Sequence, residues 1–85
     1  MRVKVMSHEP WGVMVRIIGH ERIGASVDGV VIDSPHPRAG PEDYPAIGVE
    51  RSAVAIRIRE DGEPPWVYLS MLHTDVFHLS RRAER

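Results

Sequence analysis

The chain is 85 residues long, carries a formal net charge of −1 and contains no cysteine. That length makes one small domain, able to bury about 60 to 65% of the surface its unfolded form exposes, with a stability on the order of 4 to 12 kcal/mol. The lack of cysteine excludes a disulfide scaffold and a thiolate metal site, and the near-neutral charge excludes a general attraction for phosphate backbones. Nucleic-acid affinity would therefore need a local basic patch.

The N-terminal stretch M-R-V-K-V-M-S-H has charges inside its apolar run and does not resemble a signal h-segment, and no later run is apolar enough to cross a bilayer. The expectation is a cytoplasmic chain with no membrane partner. Ten of its eleven basic residues are Arg, which suits planar stacking and phosphate forks, and equally reflects a GC-rich coding sequence.

Arg2 to Met6 alternates charged and apolar residues and predicts a first strand, with Val3 and Val5 on one face. Ser7 to Pro10 reads as a turn. A second strand covers Gly12 to Ile18, where Val13, Val15 and Ile17 alternate with Met14 and Arg16, and Gly19-His20-Glu21 forms a polar tip. The third strand begins near Ile23-Gly24 and runs through Ile32, and the change of apolar parity across Gly29 predicts a bulge or bend there. Asp33 to Gly48 is irregular and rich in proline. Within it G-P-E-D-Y-P has the build of a single helical turn, with Pro41 at a first helical position, Glu42 and Asp43 at the positive end of the peptide dipoles and Tyr44 folded against the sheet. Gly48 gives a tight entry to a fourth strand.

That fourth strand, Ser52 to Arg59, is expected to point Val54, Ile56 and Ile58 inward and Ala53, Ala55, Arg57 and Arg59 outward. After the acidic loop E-D-G-E-P-P, a fifth strand from Trp66 to Ser70 turns Val67 and Leu69 in, and Trp66 and Tyr68 out. Met71 to Arg85 changes character: Thr74 and Asp75 can cap a short helix with Val76, Phe77 and Leu79 as its apolar residues, and the end S-R-R-A-E-R is polar and expected to fray. The predicted fold class is all-β, a five-stranded Greek-key barrel of the OB type over residues 1–72, with a one-turn helix between strands three and four and a short C-terminal helix or tail over residues 73–85.

Four stretches also resemble the S1 RNA-binding domain family. P-W-G-V-M-V is similar to its aromatic-Gly-x-aromatic-Val motif, Gly24 falls at its strand-three glycine, G-P-E-D-Y-P-A-I-G fits its link before strand four, and V-Y-L-S at Val67 to Ser70 is similar to its closing segment. The resemblance covers residues 1–72 and implies a cytosolic OB barrel that binds single-stranded RNA across strands two, three and five. Lys4 stands where the family usually has Gly, Met14 replaces its second aromatic, Trp66 replaces a basic residue, and the family's histidine has no counterpart.

The candidate nucleic-acid face is Trp11, Met14, Arg16, Arg57, Trp66 and Tyr68. Aromatics interleaved with arginine suit sequence-tolerant binding of single strands, each stacked base contributing ~1 to 3 kcal/mol. The competing expectations are burial of these aromatics under the strand-two mouth and the C-terminal segment, or use of the same cluster as a protein-interaction or self-association surface, where Arg and aromatics are enriched and Lys is scarce. Catalysis is not expected. No cofactor or metal is expected either, because the histidines at 8, 20, 36, 73 and 78 match neither H-E-x-x-H nor a helical i, i+4 pair.

Overall fold

The computed structural model describes residues 1–83, with side chains described through residue 78. Six strands form one curled sheet: β1 (Arg2–Glu9), β2 (Gly12–Ile17), β3 (Gly24–Asp28), β4 (Glu50–Ser52), β5 (Val54–Arg59) and β6 (Trp66–Ser70), followed by the helix α1 (His73–Ala83). The spatial order is β4-β1-β2-β3-β6-β5. Only the β3–β6 pair is parallel among these neighbours; the others are antiparallel.

The two edge strands are consecutive in the chain, with Ala53 alone between them. Ala53 is fully buried and exchanges two backbone bonds with Met1, accepting from its ammonium at 2.8 Å and donating to its carbonyl at 2.9 Å. The result is a half-barrel whose concave side holds an aliphatic core of Val3, Val5, Val13, Val15, Ile17, Ala25, Val27, Val67 and Leu69. β-branched residues dominate it, as suits a pleated surface on which stiff side chains pack with little loss of rotamer freedom.

The all-β class and the inward set of β1, β2 and β6 agree with the sequence, and four details differ. First, β1 continues through the expected turn as far as Glu9, because a register shift between Val5 and Ser7 lets Ser7 pair with Met14 and His8 with Val13. Second, the third strand stops at Asp28 instead of bending on to Ile32. The Asp28 carboxylate accepts from the Val30 N–H at 3.1 Å and caps a 3₁₀ turn at Gly29–Val31, which accounts for the parity change. Third, the expected fourth strand is two strands, β4 and β5, broken at Ala53, so the sheet has six strands where five were predicted.

Fourth, a second register shift, between Ala55 and Arg57, reverses part of the expected facing in β5. Ala55 opposes the buried Leu69 and so lies on the inner side, while Ile56 is the extra residue and is 50% exposed. Ile58 does face inward, opposite Val67, yet is 59% exposed. It lines an open apolar concavity of about 490 Å³ with Ile17, Ile18, Ile23 and Ala55.

The predicted helical turn is present at Pro41–Asp43, with Pro41 at its start. The Asp43 carboxylate accepts from Ser34 Oγ at 2.9 Å and from the Gly40 N–H at 3.2 Å, pinning the loop to itself. Tyr44 is buried, packs edge-on against His8 and donates its hydroxyl to the Pro10 carbonyl, tying the loop to the β1–β2 turn. Gly48 sits at a φ of +90°, which an L side chain rarely adopts, and gives the tight entry to β4.

The start of α1 is held from a distance. Asp33 Oδ2 accepts from the His73 N–H at 3.0 Å, and Ser70 Oγ donates to Asp75 Oδ2 at 2.7 Å, so Asp75 anchors the first turn to β6 while the carboxylate at the very start is Asp33. The helix packs on β5. The packing of Leu79 and the fraying expected of the final residues lie outside the described side chains. No helix among the described residues is long and apolar enough to cross a membrane.

Candidate nucleic-acid interface

Residues directly opposite one another in a sheet share a face, so the register fixes which side chains stand together on the convex side. One row crosses it as Glu50, Lys4, Arg16, Gly24, Trp66 and Arg59, and the next as Ser7, Met14, Ser26, Tyr68 and Arg57. Five of the six residues singled out from the sequence are therefore on one face. Trp11 stands beyond its end, in the turn before β2, where it is 39% exposed and its carbonyl accepts from Gly29 N–H at 2.8 Å and Arg38 at 3.2 Å.

The two rows have small residues at their centre. Gly24 and Ser26 make β3 a shallow valley between Met14 and Arg16 on one side and Trp66 and Tyr68 on the other, the flanks lying two strand spacings, about 10 Å, apart. Trp66 leans into this valley. A Cβ at position 24 would lie 2.2 Å from its Cε3, and its indole N–H donates to Ser26 Oγ at 2.9 Å, so the ring rests on the bare backbone of β3 and is pinned there. Ser26 is only 4% exposed, and that hydrogen bond satisfies both groups.

Beside the indole remains a groove of about 280 Å³, walled by Met6, Met14, Arg16, Gly24, Pro64 and Trp66 and by the Glu21–Ile23 loop. Next to it the Arg57 guanidinium carbon lies 5.7 Å from the Tyr68 ring centroid, a cation–π pair that leaves its N–H groups available to an anion. Lys4 and Arg59 extend the cationic rim, Arg59 with Asp61 at 3.8 Å. Glu21 faces Arg16 from the loop. The Gly19 N–H, at 3.2 Å, and its own backbone N–H hold its carboxyl below the usual glutamate range, with smaller help from the charges of Arg16 and His20.

The sequence missed Gly24 and Ser26 as the seat of Trp66, and Lys4 and Arg59 as members of the rim. Arg59 was legible from its alternation with Arg57. The seat was not, because it depends on a parallel pairing between segments far apart in the chain. Of the histidines, His8 is engaged with the Pro45 carbonyl and the Tyr44 ring. Among the described residues no three potential metal ligands converge. No protein-family model matches the chain, and no curated protein sequence matches it.

Proposed function

We propose that this chain is an S1-like OB-fold module of the cytoplasm that binds single-stranded RNA weakly, with little sequence preference and without turnover. The observation that carries the proposal is the register that sets Met14, Arg16, Trp66, Tyr68 and Arg57 on one convex face. If β4 and β5 are the two halves of one strand bent at Ala53, the order becomes that of a five-stranded Greek-key barrel, in agreement with the resemblance to S1 domains. Lys4, Arg16, Arg57 and Arg59 are the cations this face offers to phosphates in a chain whose net charge is −1, with Glu50, Glu21 and Asp61 beside the first, second and last of them. Trp11, at the end of the face, is where a longer strand would continue.

Titration with a short oligoribonucleotide at two salt concentrations, followed by Trp fluorescence, tests this. Quenching with a Kd of about 10⁻⁴ to 10⁻⁶ M, weakening as salt rises because phosphate contacts release counterions, is the expected result. Four cationic contacts set the slope of log K against log salt near about −3. No response at about millimolar RNA, together with a mass in solution that rises with concentration, contradicts it. That second outcome matches a protein partner or a second copy as ligand, a role favoured by one observation, the apolar concavity lined by the exposed Ile18 and Ile58.

A further inference from the structure

We propose that the groove beside Trp66 is a slot for one nucleobase, stacked on the indole and closed on the far side by the Met14 thioether. This assignment rests on the nucleic-acid role of the face and adds to it the element that selects a base over a bare phosphate chain. Two features carry it. Four of the lining side chains are flat or soft and apolar (Met6, Met14, Pro64 and Trp66), and the charged ones, Arg16, Arg22 and Glu21, belong to the end of β2 and the β2–β3 loop. A purely electrostatic track has no use for such walls; a base has a π-face to lay against them.

The second feature is that Trp66 is already fixed. Gly24 leaves room for the ring against β3, and the 2.9 Å bond to Ser26 holds its plane, so stacking does not require ordering the indole. A free aromatic on a loop loses rotamer entropy when a ligand arrives, and this one has lost it on folding. Arg16 shares a sheet row with Trp66, with only Gly24 between, and so stands within reach of the phosphate attached to a base in the slot. Gly24 and Ser26 are positioning residues in this arrangement, and Trp66 and Met14 are the contacts.

The test compares octa-adenylate with an abasic octamer of the same phosphate count, against the ¹⁵N-labelled wild type and the variants Trp66→Phe, Trp66→Ala and Arg57→Ala. In the wild type the Trp66 indole N–H resonance, identified by its absence in Trp66→Phe, shifts with octa-adenylate and stays in place with the abasic chain. Trp66→Ala weakens octa-adenylate binding about 5- to 100-fold, and Trp66→Phe, which keeps a ring, by less than about threefold. If Trp66→Ala binds as the wild type does while Arg57→Ala is weakened, the slot is wrong and the face stands. Equal binding of the abasic chain also overturns the slot alone. Absence of octa-adenylate binding to the wild type overturns slot and face together. Should Trp66→Ala fail to fold, an indole resonance in the wild type that ignores octa-adenylate is sufficient to reject the slot.

Discussion

At Gly24 the missing side chain is what permits the Trp66 indole to lie on β3, since a Cβ there would come within 2.4 Å of both Cε3 and Cζ3. Gly24→Ala should leave the fold intact, because the obstructed group is the free end of a side chain, while displacing the ring and breaking its bond to Ser26. The expected cost is about 1 to 2 kcal/mol in urea unfolding, with a red shift of Trp fluorescence as the indole meets water. Ser26→Ala, which strands the indole N–H, should cost about 1 kcal/mol with a smaller spectral change. Glu21 gives a prediction on pH. Its carboxyl is held below the ordinary value in the folded chain, chiefly by the Gly19 N–H, so its contribution to stability is present above the unfolded pKa and is lost as pH falls through the folded one. Carboxyl NMR should therefore find Glu21 titrating below its ordinary range. The outward facing of Trp66 and Tyr68 was legible from the alternation W-V-Y-L-S. The partner of Trp66 was not, because Ser26 is 40 residues away along the chain and nothing local marks it.

Among the elements, β5 is where the sequence pattern and the sheet part company. V-A-I-R-I-R reads as clean alternation, and a single extra residue at Ile56 shifts the second half against the first. The consequence is energetic. Leu69, fully buried in β6, should cost about 2 to 5 kcal/mol on truncation to alanine, whereas Ile58→Ala, at 59% exposure, should cost less than about 1 kcal/mol; urea midpoints decide it. The β1 strand shows the same lesson at Val5–Ser7, where a polar S-H-E stretch that looks like a turn is carried as strand by pairing with β2. Capping chemistry was more readable. G-P-E-D-Y-P closes the one-turn helix at the expected residues, since proline and two acids act locally. The start of α1 depends instead on Asp33, a loop acid 40 residues away that nothing local marks as its partner. Asp33→Ala should destabilise the helix by about 0.5 to 2 kcal/mol, seen as faster amide exchange at His73 with little effect on β1 or β2.

For the molecule as a whole, the curl of the sheet separates two surfaces of different chemistry. The convex side carries two rows in which cations flank a Trp, a Tyr and a Met over a valley of small residues, and the open end of the concave side presents isoleucines around an apolar hollow. The all-β class and most of the core were written in the sequence as period-two alternation, which any half-buried strand must show. The separation of the surfaces was not, because it follows from long-range register and from the break at Ala53. The most direct measurement is an amide chemical-shift map of the ¹⁵N-labelled chain as octa-uridylate is added. Shifts concentrated at Met14, Arg16, Ser26, Arg57 and Tyr68 are the predicted result. Shifts confined to Ile18, Ile23, Ala55 and Ile58, or none at all, would contradict a nucleic-acid role for the convex face.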